Sequence, residues 1–503
     1  MLFSTTGTLT QAIGVLLLVL PWLNPFAPGP TSQVVQSLLS LSCLALLLPM
    51  PLWQGGGAVL VRVAAPAWLL AALLSCLIAL LQYFGVGQAW SPWVNSTGVG
   101  EAFANLRQRN QFATLTTLGL AALLWWSQTV RRLPSPSAAS LLAAILLGVG
   151  NAASSSRTGL IELLALALLL LVWPQWRHPL LCRVMLAAGA AFASATLLLP
   201  WLAGLGVGGA GILARIQEQG PSCASRLTLW HNVVYLIAEK PWTGWGWGEL
   251  GYAHFITIYP GPRFCDIVSN AHNLPLHLAV ELGLPVAILL CGGGLLALWR
   301  AKPWRESNPH RQLAWAVLAL LGLHSLLEYP LWYGPFQLAA GLALTLLWLT
   351  RSAAVPVPRP GRATTPLAVA PELWRLAIST SLMFGVLYAA WDYQRIRQIY
   401  LPVAERAAPY RDNTLAKLQG SWLFGPQVDF AELTTSILTQ ANAPAAQRQA
   451  EAMLHFSPEP RVIEKLIDSL LLQGREVELQ FYLARFKVAF PEPHARWVSR
   501  NGL

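Results

Sequence analysis

Three groups of side chains in this sequence have the types and spacing that chemistry needs. The first is His272 with Asn273, in Ser269-Asn270-Ala271-His272-Asn273-Leu274-Pro275, at the mouth of a long apolar run. A neutral imidazole there can take a proton from a hydroxyl, while the free amides and dipole of a helix start favour an anion. The plain alternative is a histidine that caps the helix. His277 and Glu281, four residues apart and roughly opposite His272, read as a packing pair. On an unbroken helix Gly283 falls about 20° around from His272 and would let a neighbouring helix come close beneath it.

The second group is basic. Arg107, Arg109, Arg157, Arg215, Arg226, Lys240 and Arg263 fall in segments that the charge rule assigns to the outer face, where cations are scarce. Arg157 follows Ser154-Ser155-Ser156 at the start of a helix, a position the dipole disfavours for a cation. A ligand with several negative charges resolves that conflict, and guanidinium forks match phosphate oxygens. For any single arginine, contact with a membrane lipid headgroup or a simply solvated charge explains it equally well; for the set they explain less. The third group is His324 and Glu328, one helical turn apart in His324-Ser325-Leu326-Leu327-Glu328-Tyr329-Pro330, where the proline ends the helix before an aromatic cluster. Pro241-Trp242-Thr243-Gly244-Trp245-Gly246-Trp247-Gly248 sets flat indoles on a flexible backbone, suited to sugar rings or to the membrane interface. No nucleotide-binding glycine loop, zinc spacing or acidic metal motif stands in the sequence, so neither a cofactor nor a metal is expected.

The elements that must position these groups are apolar helices. Of 503 residues only 11% are charged and 55% are hydrophobic, against roughly a quarter charged in a soluble chain, and mean hydropathy is +0.50. Runs of about 20 residues rich in Leu, Ala and Val match the length of a membrane-crossing helix. The sequence therefore predicts an all-α polytopic membrane protein with about eleven transmembrane helices. Its N-terminus is read as a first span on the cytoplasmic side, without a cleaved signal. Inner loops then hold Arg62, Arg131, Arg132, Arg177, Arg183, Arg300, Lys302, Arg305, Arg311, Arg351, Arg359, Arg362 and Arg375. This accounts for the net charge of +11 without nucleic acid.

The expected organisation is residues 1–203 as N-terminal transmembrane helices, 204–270 as a large outer loop, 271–391 as C-terminal transmembrane helices and 392–503 as an outer helical domain. In that last part apolar residues at helical spacing over Ala445–His455, Arg461–Leu472 and Arg475–Phe490 suggest a small tetratricopeptide-like fold. Cys223 and Cys265 share the large loop and could pair in an oxidising periplasm; Cys43, Cys76, Cys182 and Cys291 fall in or beside spans. A transporter also needs polar residues within spans, but it predicts midplane charges and internal repeats, whereas the polar residues here gather at one face.

Arg226-Leu227-Thr228-Leu229-Trp230, the Trp-Gly stretch through Gly248, and His272-Asn273 followed by Leu276 and Gly283 resemble the shared core of the O-antigen ligase and polymerase superfamily. Asn105-Leu106-Arg107-Gln108 with Asn110, Ser156-Arg157-Thr158-Gly159, and His324 through Tyr333 resemble more specifically the bacterial protein O-oligosaccharyltransferases of the PglL type. Arg109 departs from that pattern, which has proline there. The resemblance covers most of the chain from Asn105 onward. It implies a metal-independent glycosyltransferase of the bacterial inner membrane, acting on the periplasmic face. Such an enzyme moves a preassembled glycan from undecaprenyl diphosphate to a Ser or Thr hydroxyl of a protein such as a pilin. It also implies catalytic roles for His272, Arg226, His324 and Glu328, and substrate contacts from Asn105, Arg107, Asn110, Arg157, Arg263, Asn273 and Tyr329. Ligation to lipid A-core and polymerisation of O-units differ from this only in the acceptor.

Overall fold

The computed structural model describes residues 5–53, 56–129, 137–206, 211–212, 222–351 and 371–502. Arg131, Arg132, Arg215, Arg359 and Arg362 lie outside them. Among the described residues every regular element is a helix, with no strand, and the chain divides into two compact units. One comprises Met1–Glu218 with Ala301–Tyr388, the other Gln219–Arg300 with Ala389–Leu503.

In the first unit the helices Thr5–Leu23, Ser32–Leu47, Gly56–Tyr83, Arg109–Thr129, Ala138–Ala153, Arg157–Val172, Pro179–Leu202, Pro309–Ser325 and Gly334–Leu349 surround one core. Small residues set how near they come. A Cβ on Gly148 would lie 2.2 Å from the Ala188 carbonyl oxygen, so Ala138–Ala153 and Pro179–Leu202 pack backbone to backbone. In a membrane, where lipid is as apolar as leucine, such packing is what holds helices together.

Four described helices are long and apolar enough to cross a membrane: Gly56–Tyr83, Pro179–Leu202, Leu274–Arg305 and Glu372–Tyr400. This corrects the expectation of about eleven spans. Apolar helices at Gly7–Leu23, Gln33–Leu47, Ala138–Ala153 and Gly334–Leu349 are shorter. Apolar run length overstates helix length wherever a turn interrupts the run, as after Leu47, where the chain enters a separate turn at Pro51–Trp53. Helix Arg109–Thr129 is long enough, but it carries buried Thr114, Thr116, Thr117 and Gln128, which face protein and lower its hydropathy. Several long apolar helices make the chain a multi-pass, membrane-embedded protein.

The second unit holds helices Arg226–Glu239, Leu250–Ile256 and Leu274–Ala301 as far as Arg300, with the C-terminal helices. Helices Ala443–Phe456, Pro460–Leu472 and Glu476–Ala489 form where the apolar spacing puts them. They do not form a tetratricopeptide-like domain, and this part of the expected fold is also corrected. Phe255 from the large loop lies in one core with Phe430, Met453, Leu466 and Trp497, and Arg485 Nε donates to the Ile256 carbonyl at 2.7 Å. Helical spacing shows which face of a helix is apolar, but not what covers it.

Helix Leu274–Ala301 is broken at Gly283, whose φ of 83° and ψ of 162° leave the helical region. The break receives the Trp-Gly stretch: Trp245 N donates to Val280 O at 2.9 Å, Gly246 N to Glu281 O at 3.0 Å, and Leu284 N to Pro241 O at 2.8 Å. A Cβ on Gly283 would meet the Trp242 carbonyl at 2.3 Å, and one on Gly244 the Glu281 carbonyl at 2.3 Å. The glycines of the stretch thus serve close backbone approach, while Trp242 and Trp247 remain exposed. The break also removes the phase relation expected between His272 and Gly283. Gly283→Ala forces both a glycine-only backbone conformation and a clash with a carbonyl. We expect it to destabilise by at least about 3 kcal/mol, read as loss of the folded monodisperse protein in thermal-shift chromatography.

Candidate functional site

In the first unit the expected residues form a hydrogen-bonded chain. Asn110, in the first turn of helix Arg109–Thr129, donates from Nδ2 to Glu328 Oε1 at 2.7 Å and accepts at Oδ1 from Ser156 Oγ at 2.6 Å. Ser156 is the N-cap of helix Arg157–Val172, its Oγ accepting from Gly159 N at 3.0 Å, so three elements converge at the exposed Arg157. Gly159 is required by packing, because a Cβ would lie 2.5 Å from Ala113 Cβ. His324 and Glu328 occupy the end of helix Pro309–Ser325, with Glu328 N donating to His324 O at 2.8 Å. Both side chains are buried, and Tyr329 beside them stacks on Tyr333 with ring centroids 5.9 Å apart.

Asn105 and Arg107 serve the loop around them. The Asn105 amide is 2% exposed; it donates to Leu23 O and Trp93 O at 2.8 and 3.0 Å and accepts from Asn95 N at 3.2 Å. Arg107 has a left-handed backbone, φ 62°, and its guanidinium donates to Pro25 O at 2.6 Å and Asn95 Oδ1 at 3.2 Å. Arg109 pairs with Glu101.

In the second unit, helix Arg226–Glu239 repeats the local design of Arg157. Ser225 is its N-cap, accepting from Thr228 N at 3.1 Å, and Arg226 is its first residue. Asn232 on the same helix binds Pro262 O and Phe264 N at 3.0 and 2.8 Å. His254 binds Tyr259 Oη at 2.8 Å and Phe264 O at 3.1 Å. Burial and the nearby Arg263 hold the His254 imidazole down at about 3, so it is neutral. Arg263 donates to Thr257 O at 3.0 Å, and burial pulls its guanidinium down to about 10.

Cys223 and Cys265 form a disulfide across 42 residues. For a loop of that size the chain-entropy relation gives about 4 kcal/mol, with measured bridges typically about 2–4. The Cys223→Ser, Cys265→Ser double variant should therefore melt well below wild type, and reductant should lower the wild-type melting temperature but leave the variant's unchanged.

These contacts lead the chain to His272. Trp230 Nε1 donates to Ala271 O at 3.0 Å, His272 N to Asn270 Oδ1 at 2.9 Å, and Leu276 N to Asn273 Oδ1 at 3.1 Å. His272 stands just before the helix with φ 51°, a left-handed conformation uncommon in non-glycine residues, though histidine, asparagine and aspartate adopt it more readily than most. Asn273 caps the helix, so the imidazole does not have to. His277 Nε2 lies 3.5 Å from Glu281 Oε2, both buried, the pair their spacing implied.

One buried group escapes the sequence reading. Glu162 stands alone in the apolar run Leu160-Ile161-Glu162-Leu163-Leu164, yet it is 0% exposed. It lies beside Thr114, Thr117 and His324. A lone carboxylate in an apolar run was the available signal.

Comparison with known families matches three successive stretches. "Protein glycosylation ligase" covers residues 102–126, "O-Antigen ligase" 142–291, and "Virulence factor membrane-bound polymerase, C-terminal" 312–501. The chain belongs to the O-antigen ligase and O-oligosaccharyltransferase superfamily. As a superfamily member it has Asn105, Arg107 and Asn110 in the first match, Arg157, Glu162, Arg226, Arg263, His272 and Asn273 in the second, and His324, Glu328 and Tyr329 in the third. Among curated relatives, a general O-oligosaccharyltransferase of Acinetobacter baylyi is 27% identical over 344 residues, 65% of this chain and 56% of that protein. A ComP-specific O-oligosaccharyltransferase of the same organism is 25% identical over 293 residues, 57% of this chain and 51% of that one. The chain thus spans about half the length of these two superfamily members.

Proposed function

We propose that the protein is an O-oligosaccharyltransferase of the bacterial inner membrane. In this reading it transfers a preassembled glycan from undecaprenyl diphosphate to a Ser or Thr hydroxyl of a periplasmic protein such as a pilin. The observation that carries it is the repeated Ser-Arg helix start. Ser156 and Ser225 cap two helices whose first residues are Arg157 and Arg226, and a helix start that adds a guanidinium to its free amides suits an anion with several charges. A diphosphate supplies that anion, and a disulfide in the loop that carries Arg226 suits an oxidising compartment.

In the reaction the acceptor oxygen bonds to the anomeric carbon, the bond from that carbon to the diphosphate oxygen breaks, and the lipid diphosphate leaves with the electron pair. His272 takes the hydroxyl proton or holds the hydroxyl in line as the proton is lost. Arg157 and Arg226 stabilise charge as it gathers on the departing diphosphate. Glu328, fixed by Asn110 at 2.7 Å, orients the acceptor, and His324 supports it. The active face and the C-terminal helices are periplasmic in this reading.

Ligation to lipid A-core has its own support in the "O-Antigen ligase" match over 142–291. Reconstituted protein given a lipid-linked oligosaccharide, with a pilin-like protein and lipid A-core in parallel, separates the two. Glycan on the protein supports the proposal, and glycan on lipid A-core alone overturns it.

A further inference from the structure

Glu162 and His324 are both 0% exposed, and a hydroxyl bridges them. Thr114 Oγ1 lies 2.7 Å from Glu162 Oε1 and 2.7 Å from His324 Nδ1, whereas the carboxylate and the imidazole are 3.8 Å apart. The other carboxylate oxygen accepts from Thr117 Oγ1 at 2.9 Å. Thr114 Oγ1 is also 3.0 Å from the Asn110 carbonyl oxygen. A hydroxyl carries one proton, so it donates to only one of its three neighbours, and a carbonyl cannot donate. At least one of Glu162 and His324 must therefore donate to Thr114.

Two arrangements with the same number of protons satisfy both short contacts. In one, His324 is the imidazolium, protonated at both nitrogens, and donates its Nδ1 proton to Thr114, which donates to the Glu162 carboxylate. In the other, Glu162 is the acid and donates to Thr114, which donates to Nδ1 of a neutral His324 that keeps its proton on Nε2. They interconvert by one concerted transfer. The N–H bond at Nδ1 breaks as Thr114 oxygen takes up that proton, while threonine's own proton forms the O–H bond on Glu162. Protons balance, and no other reactant is required. The buried carboxylate is costly without this arrangement.

The same bridge roots both ends of the chain at Arg157. Asn110 carries the carbonyl next to Thr114 Oγ1, and Glu328 N donates to His324 O at 2.8 Å; these are the two partners in the Asn110–Glu328 bond. We infer that Glu162 is a positioning residue of the transfer reaction, setting through Thr114 whether His324 Nδ1 is protonated and thereby the hold on Glu328. The kinetic consequence rests on the proposed glycosyl transfer; the consequence for His324 does not.

The test uses full-length protein labelled with 15N-histidine in nanodiscs, the His324 signal being assigned with His324→Gln. Glu162→Gln keeps shape and hydrogen bonds but cannot take up or release a proton, Thr114→Val removes the bridge, and Thr114→Ser keeps it. The His324 ring-nitrogen shifts should move in Glu162→Gln and Thr114→Val and stay at wild-type values in Thr114→Ser. In parallel, the first two should lower kcat about tenfold or more with an unchanged KM for the lipid-linked donor, and Thr114→Ser should restore it. Unmoved shifts in both Glu162→Gln and Thr114→Val overturn the inference, as does wild-type kcat in Glu162→Gln. Should wild-type protein transfer no glycan, the transfer reading fails, and the nitrogen shifts alone decide the coupling of Glu162 to His324.

Discussion

Replacing His272 with asparagine should leave the protein folded and lower glycan transfer about 10²- to 10⁴-fold, the range supplied by a positioned general base. The choice of asparagine matters. His272 sits at φ 51°, where alanine is strained and asparagine is tolerated. A loss in His272→Ala alone would mix backbone strain with lost chemistry, whereas His272→Asn keeps the backbone and removes the proton acceptor. Trp230, Asn270 and Asn273 hold the surrounding peptide through their own bonds at 3.0, 2.9 and 3.1 Å, so the loop survives the substitution. Melting temperature and single-turnover rate measured on the same preparation check this. An unchanged melt with a collapsed rate is expected; an unchanged rate removes His272 from the chemistry.

Arg157→Gln and Arg226→Gln should each lower the single-turnover rate about 10²- to 10³-fold, equivalent to about 2.7–4 kcal/mol of transition-state stabilisation. Both arginines are the first residue of a serine-capped helix, so the glutamine variants keep the cap bonds to Gly159 N and Thr228 N. The fold should therefore hold while activity falls. Lysine at either position restores charge without the fork and should recover only part of the rate. An arginine that merely contacts lipid headgroups would show no such loss.

What the sequence made legible was local and chemical. Four-residue spacing placed His277 against Glu281, because one helical turn fixes that distance wherever the helix sits. Two cysteines in one long loop could pair, and the structure joins them. Features that depend on a partner were not legible. A helix drawn through Gly283 gave His272 a shared stripe that the actual break removes, since only the docked Trp-Gly stretch reveals the need for a glycine-only conformation. Asn105 and Arg107 read as ligand-seeking because their acceptors, Leu23, Trp93 and Pro25, are carbonyls that carry no sequence signal. Helix Arg109–Thr129 has the length of a span although its threonines face Glu162 and His324. The count of spans failed for the same reason, because apolarity records burial and does not say whether lipid or protein does the burying.

The most direct test of the account is the mass of an acceptor protein after incubation with reconstituted wild-type protein and an undecaprenyl-diphosphate-linked oligosaccharide of known mass. The account predicts a single increment equal to the whole glycan on a Ser or Thr, released by β-elimination and missing with His272→Asn. Acceptor of unchanged mass, with the glycan still on the lipid or elongated there, would contradict it.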